Sequence, residues 1–238
     1  MKQAILELRD VSFGYRIRRG LWSRDFSPVL QNINLRIFEG ETLGVLGLNG
    51  SGKSTLLRLL AGIYQPMSGE IISSVSKASL ITLGLGFDPV LSGRDNAIFG
   101  AMLLGFSRSD AVRSLEGIRK FSELEQKFNE PIRSYSSGMV ARLAFSIAVT
   151  LEADLLLVDE VLAVGDMIFA AKAKEKLLSR IKGGQSTVLV SHNVYEVAAA
   201  CERSVVLGRE GVLFDGPTAD AIEVYLNPDQ SKPINFKG

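Results

Sequence analysis

Apolar residues recur along this chain with three spacings, and each spacing predicts a different kind of element. From residue 4 to residue 15, Leu6, Leu8, Val11, Phe13 and Tyr15 alternate with polar neighbours, as one face of a strand does. A second alternating run, Ile33, Leu35 and Ile37, ends at the Glu39-Gly40 turn. Short unbroken apolar runs lie at 42–46, 155–158 and 187–190, and Ser68-Gly69-Glu70 opens another strand at Ile71-Ile72. Unbroken runs predict strands buried on both faces, as in a parallel sheet. Val205-Val206-Leu207 and Val212-Leu213-Phe214 predict a hairpin around Arg209-Glu210-Gly211.

The helical period begins at Thr55 and stops at Gly62. It returns from Asp95 to about Phe128, where Ser107 is a plausible N-cap for a helix carrying Val112, Leu115, Ile118 and Phe121. It is strongest in Val140, Leu143, Ala144, Ile147, Ala148 and Leu151. A last helix starts at Pro217-Thr218 and stops before Asn227-Pro228, and the polar tail 227–238 is expected to be loosely held. Strands at both ends with helices between them predict an α/β core and an inserted helical subdomain at about 90–140.

Composition narrows the function more than the fold. The chain has 238 residues and a net charge of +1, so no global field favours nucleic acid. Mean hydropathy is positive, yet no run approaches the ~18 apolar residues of a membrane helix. The first residues, Met1-Lys2-Gln3-Ala4-Ile5, lack the apolar core of a signal peptide. A single cysteine, Cys201, excludes an internal disulfide and fits a reducing compartment. Between the first two strands lies an arm, 16–28, with Arg16, Arg18, Arg19 and Arg24 beside Leu21, Trp22 and Phe26. It reads as an extended hairpin loop, either solvated decoration or a contact for lipid headgroups or phosphate, because Arg with Trp suits a membrane interface.

Gly47-Leu48-Asn49-Gly50-Ser51-Gly52-Lys53-Ser54, followed by Thr55, fits the phosphate-binding loop G-x-x-x-x-G-K-[ST]. A predicted strand precedes it and a predicted helix follows. The glycines let the backbone bend with its N–H groups inward, and the helix start adds partial positive charge. Lys53 would reach the β- and γ-phosphates, and Ser54 would ligate Mg²⁺.

Three further clusters are chemically suggestive. Leu155 to Val158 ends in Asp159-Glu160, so Asp159 would stand at the carboxyl edge of the sheet and hold Mg²⁺ through water. Glu160 is the candidate general base, against the alternative of an ordinary acidic strand cap. His192, the only histidine, follows another apolar strand; it is either structural or a donor to the γ-phosphate. Ser136-Ser137-Gly138-Met139 at a helix start is either an ordinary N-cap or a second anion site.

Taken in order, these four motifs resemble the ATP-binding subunit of an ABC transporter over essentially the whole chain. Tyr135-Ser136-Ser137-Gly138-Met139, the run Asp159-Glu160-Val161-Leu162-Ala163-Val164-Gly165-Asp166, and Leu85-Gly86-Phe87-Asp88-Pro89 with Ser92-Gly93-Arg94-Asp95-Asn96 resemble the branch that exports O-antigen, capsular polysaccharide and teichoic acid. The resemblance implies an ABC-type P-loop ATPase: a RecA-like parallel-sheet core, an N-terminal antiparallel β subdomain and an inserted helical subdomain, forming one nucleotide-binding domain over 1–238. It further implies a homodimer that sandwiches two ATP molecules, with Ser136, Ser137, Gly138 and Met139 supplied in trans. Asp166 matches the loop that crosses the dimer interface, and Tyr15 the residue that stacks on adenine, with Trp22 and Phe26 as other possibilities. Two copies of a membrane-spanning permease, docked through the helical subdomain, would carry a glycan linked to a polyprenyl diphosphate. The ATPase would then sit at the cytoplasmic face of the bacterial inner membrane, held there by the permease.

Two departures from the family pattern stand out. The stretch 82–87 lacks the glutamine that usually touches Mg²⁺ and the attacking water, and Ala163 replaces a frequent serine. The chain runs about 46 residues past His192, against the ~100 of a β-sandwich, and no appended carbohydrate-binding domain is expected. A soluble ABC ATPase acting on ribosomes or DNA is the alternative class, but a single ATPase unit, no heptad run and no basic excess weigh against it. A P-loop kinase or GTPase leaves Ser136-Ser137-Gly138 and His192 unexplained.

Overall fold

The computed structural model describes residues 3–18, 24–81, 86–159, 166–208 and 211–227. In chain order its strands and helices begin with β1 (Ala4–Arg18), β2 (Arg24–Phe38), β3 (Thr42–Leu46), α1 (Lys53–Leu60), β4 (Ser68–Ser73) and β5 (Ala78–Ile81). Then come α2 (Gly93–Leu103), α3 (Arg108–Ser122), α4 (Ser137–Thr150), β6 (Leu155–Asp159) and α5 (Met167–Lys182). The chain closes with β7 (Thr187–Val190), α6 (Val194–Ala200), β8 (Arg203–Gly208), β9 (Gly211–Pro217) and α7 (Thr218–Leu226). They form two compact units, one of Met1–Val75 with Ser186–Gly238, the other of Ser76–Gln185.

In the first unit β1 and β2 form a long antiparallel hairpin, and β4 pairs with the other edge of β1. The apolar alternation in β1 slips by one residue between Leu8 and Val11, and the structure shows why. The β1–β2 register shifts there, and Asp10 takes a left-handed φ of 49°. Asn34 holds this bulge, accepting from the Asp10 backbone N at 3.0 Å and donating to the Asp10 carboxylate at 2.9 Å. Leu6, Leu8, Val11, Ile33, Leu35 and Ile37 consequently all remain on the buried face. The arm expected as a loop is instead strand for much of its length, with Arg16 opposite Phe26 and Arg18 opposite Arg24. Backbone pairing continues outward because Arg, Phe and Ile tolerate the extended conformation; the Arg16 guanidinium lies 5.7 Å from the Phe26 ring centroid. Arg19, Leu21 and Trp22 lie outside the described residues.

The other sheet strands of this unit place β3 between β7 and β8, both parallel to it, with β9 antiparallel on β8. Every residue of β7 is buried, as is β3 from Leu43 onward, which accounts for the apolar runs at 43–46 and 188–190. Arg203 anchors this sheet to its surroundings. It donates to both carboxylate oxygens of Asp215, at 2.6 and 2.7 Å, to Glu41 at 2.7 Å and to the Arg36 carbonyl at 3.1 Å.

In the second unit β5 and β6 pair in parallel, Ile81 opposite Val158. Asp154 fixes their start by accepting from the backbone N of Ser76 and Lys77 and from the Ser76 hydroxyl. The helical stretch expected from Asp95 to about Phe128 is two helices, the second opened by Ser107 as expected, and it ends short of Phe128. Gly105 turns the chain at φ 88°, and Ser107 with Asp110 forms a capping box that opens α3. Glu123, at φ 57°, closes it, and a 3₁₀ turn at Glu125–Asn129 follows. Against these helices packs α4, whose Phe145 and Val149 are buried along with Leu143, Ala144, Ile147 and Ala148 of the expected stripe, while Val140 is half-buried. It is a core helix enclosed on most sides rather than a surface amphipathic one.

Candidate functional site

The phosphate-loop motif follows β3 directly. The loop turns through a Ser51 N–H to Leu48 carbonyl bond of 3.1 Å and enters α1 at Gly52, whose φ is 94°. No side chain caps α1 and no acidic residue lies in its first turn, so the helix start keeps its uncapped N–H groups and its partial positive charge. A Cβ at position 47 would come within 2.5 Å of the Leu207 carbonyl oxygen and 2.6 Å of Ser51 Oγ, so the backbone passes here only as glycine.

Lys53 is 7% exposed, and its ammonium donates to the Gly47 carbonyl at 2.7 Å and the Leu48 carbonyl at 3.1 Å. The charge is thus folded back over its own loop, at the place where a phosphate would lie. Ser51 Oγ is buried without a hydrogen-bond partner, the only such side-chain atom among the described residues. An orphaned hydroxyl beside a buried cation and a bare helix start is a cradle shaped for an oxyanion.

Tyr15 lies beside this loop. Its hydroxyl and Thr55 Oγ1 are 3.1 Å apart, and its ring meets Phe13 and Tyr64 edge-on at 5.4 and 6.0 Å. Burial raises the phenol pKa, but hydrogen bonds with Thr55, Tyr64 and Arg58 outweigh it and hold it below the ordinary value. Phe13 and Tyr64 stack at 4.9 Å, so the aromatic neighbourhood is larger than Tyr15 alone. Tyr64 and Arg58 are absent from the sequence-based site; only their position after the phosphate loop hints at them.

His192 is exposed and follows Ser191 at the end of β7. Parallel pairing of Val190 with Val45 puts the exits of β7 and β3 at one sheet edge, so the histidine and the phosphate loop leave the sheet side by side. Ser191 Oγ accepts from the Asn193 N–H at 3.1 Å and donates to Glu196 at 3.2 Å, shaping the turn that presents His192.

The remaining site residues belong to the second unit. Asp159 is the last residue of β6, half-buried, and Glu160 lies outside the described residues. Ser136 is the N-cap of α4, accepting from the Met139 N–H at 3.2 Å; Ser137 is exposed, while Gly138 and Met139 are half-buried. Tyr135 fixes the approach to this cap. Its hydroxyl donates to the Lys127 carbonyl at 2.6 Å, and burial, reinforced by the Glu130 charge, pushes its pKa up to about 12.

Asp166 caps α5, accepting from the N–H groups of Ile168 at 3.1 Å and Phe169 at 3.0 Å, and pairs with Arg142. Those backbone donors, chiefly Phe169, and then the Arg142 charge hold its carboxyl below the usual range. The structure therefore gives Asp166 partners within its own chain. Among the described residues no group of three or more His, Cys, Asp or Glu is clustered to hold a metal. No helix among them is long and apolar enough to cross a membrane.

A parallel sheet with a glycine-rich turn over a buried lysine invites comparison with known proteins. The family model for "ABC transporter" matches residues 30–163, more than half of the chain. The chain belongs to the ABC transporter family. As a member of that family it is an ATP-binding ATPase subunit. It is 40% identical over 196 residues to the O-antigen export system ATP-binding protein RfbB of Klebsiella pneumoniae, covering 82% of this chain and 80% of that one. Similarity to the Myxococcus xanthus protein of the same name is 43% over 182 residues; there the chain spans 76% of its own length and only 42% of the relative. The Haemophilus influenzae ATP-binding protein BexA is 40% identical over 205 residues, 86% of this chain and 92% of the relative. Among solved structures, the ATP-binding cassette MJ0796, seen as a dimer bound to ADP and Pi, superposes with a TM-score of 0.72 at 23% identity, over 90% of this chain and 98% of that one. That likeness establishes the ABC ATPase fold.

Proposed function

We propose that this ABC subunit hydrolyses ATP to power export of a polyprenyl-diphosphate-linked polysaccharide, O-antigen in the first instance, through a separate membrane permease. Export of capsular polysaccharide or teichoic acid is the second reading; similarity to a teichoic acids export ATP-binding protein, TagH, of Enterococcus faecalis, 39% identical over 174 residues, 73% of this chain and 39% of the relative, favours the latter polymer. The observation that carries the proposal is the oxyanion cradle of Lys53, Ser51 and the α1 start, in a chain whose relatives are named for export of surface polymers.

In this reading the whole chain acts as one nucleotide-binding domain in a homodimer. Gly47, Asn49, Gly50, Ser51, Gly52 and Thr55 line the phosphate loop, Lys53 moves from its own carbonyls to the β- and γ-phosphates, and Tyr15 faces the adenine. Ser54 and Asp159 would hold Mg²⁺, which when bound neutralises charge on the phosphates. Glu160 orients and deprotonates the attacking water, and His192 donates to the γ-phosphate. Ser136, Ser137, Gly138 and Met139 of the second copy close the site, and Asp166 faces the interface. Because 82–87 carries no glutamine, either another residue or water would make that metal contact, or coupling at this loop differs. The permease would dock on the second unit, where Val90, Phe99, Met102 and Leu103 are exposed apolar residues on and before α2. Docking places the subunit at the cytoplasmic face of the membrane.

The test is Glu160→Gln. It is expected to keep ATP binding and abolish phosphate release, accumulating an ATP-bound dimer; turnover at the parental rate removes Glu160 from the base role. Co-purification with two permease copies, lost on Phe99→Asp with Leu103→Asp, tests the docking face. If the chain purifies alone from membranes that contain the permease, the transport reading fails.

A further inference from the structure

Arg142, in the second turn of α4, joins two segments that the function so far treats separately. Its guanidinium pairs with Asp166 Oδ2 and lies 3.7 Å from Glu123 Oε2, while its face sits 5.1 Å over the Phe169 ring. The side chain is only 20% exposed. Lys172 completes the cluster, contacting Glu123 at 2.5 Å and the Phe121 carbonyl at 2.9 Å, with its ammonium 4.6 Å from the Phe121 ring centroid and 5.8 Å from that of Phe169. Asp166 divides its two oxygens between two tasks. Oδ1 accepts the Ile168 and Phe169 N–H groups and so caps α5, whereas Oδ2 accepts from Arg142. A planar guanidinium that stacks on an aromatic ring and reaches two carboxylates is a role lysine fills poorly.

We infer that Arg142 is a positioning residue that makes the Ser136-Ser137-Gly138-Met139 helix start and Asp166 a single rigid body, so that both engage the facing subunit together. The inference rests on the dimer reading above, in which both segments face the second copy. With Arg142 in place, seating α4 against the partner's nucleotide also seats Asp166. Without it, the two contacts form separately, and a displacement of about 1 Å at either costs catalytic rate on the order of 100-fold at most.

The division of oxygens supplies the decisive variant. Asp166→Asn keeps the capping carbonyl but turns an amide N–H₂ toward Arg142, so the α5 cap survives and the link does not. The full chain carrying Asp166→Asn, Arg142→Met, Arg142→Lys or the Arg142→Met/Asp166→Asn pair is assayed for ATP kinetics and thermal midpoint. Each is also placed in the Glu160→Gln background, and its ATP-driven dimerisation is followed by light scattering. For Asp166→Asn the expected result is an unchanged midpoint, a KM within about twofold and a kcat lowered about tenfold or more. Its dimerisation should need about tenfold more ATP. Arg142→Lys should recover part of the loss, and the double variant should be no worse than the worse single one. If Asp166→Asn keeps parental kcat and dimerisation, or the double variant is additive, the inference is overturned. If Glu160→Gln with Arg142 and Asp166 intact does not dimerise on ATP, the dimer reading fails first and takes this inference with it.

Discussion

Gly93→Ala tests how the start of α4 is held in place. Gly93 is the first residue of α2, where alanine would ordinarily stabilise a helix by up to about 1 kcal/mol. Here a Cβ would meet the Tyr135 hydroxyl at 2.2 Å, the Phe128 carbonyl at 3.0 Å and Tyr135 Cζ at 3.1 Å. The neighbour that must give is a ring, not a flexible chain end. Its displacement breaks the 2.6 Å bond to the Lys127 carbonyl, a loss of about 1 kcal/mol. That carbonyl still accepts the Glu130 N–H at 2.8 Å, so no buried acceptor is orphaned. Strain from moving the ring adds about 1–3 kcal/mol. Against the helix gain, the net destabilisation is about 1–3 kcal/mol. Tyr135→Phe alone should cost about 1 kcal/mol, and it removes the 2.2 Å clash. The Gly93→Ala/Tyr135→Phe pair should therefore be more stable than the sum of its singles by about 1–2 kcal/mol. Urea unfolding at constant m reads these differences directly. The reasoning is refuted if Gly93→Ala unfolds within about 0.5 kcal/mol of the parent or the pair is additive.

Lys53→Ala should weaken ATP binding about 10- to 100-fold in calorimetric titration, because it removes charge-assisted bonds worth about 1.5–3 kcal/mol; affinity within twofold of the parent would sink its assignment. Arg203→Met strands Glu41, 8% exposed, and Asp215, and should cost about 3 kcal/mol by urea unfolding. Burial, aided by Glu41, pushes the Cys201 thiol from 9.0 up to about 12, and Tyr135 rises from 10.0 to about 12. The unfolded chain releases these protons first, so stability is intact below pH 9.0 and declines as pH rises toward about 12. The decline should shrink in Tyr135→Phe/Cys201→Ser, and native Cys201 should resist a thiol reagent at pH 8 until urea unfolds the chain.

Much of the fold was legible before any coordinates. Apolar period placed β3, β6 and β7 within a residue or so, because strands buried on both faces tolerate little else. The Ser107 cap and the phosphate loop were equally local: cap, glycine turn and helix start lie within a few residues of one another. Period could also mislead. The 16–28 arm is polar enough to read as loop, yet it pairs as strand because its partner is its own other half across the hairpin. The helical pattern after Asp95 read on to about Phe128, yet α3 closes at Glu123, whose left-handed turn leaves a faint trace in hydropathy.

Sequence alone determined which chemistry this chain carries: a glycine-framed lysine after a strand binds phosphate wherever the backbone can close around it. Tertiary structure alone decided which residues hold that chemistry in place. Tyr15 reaches Thr55 across 40 positions, Arg142 reaches Asp166 across 24, and Tyr135 fills the space that Gly93 leaves open. Nothing in residue spacing announces such pairs. They depend on side-chain direction and on a gap one methyl group wide, which exist only once the chain has packed.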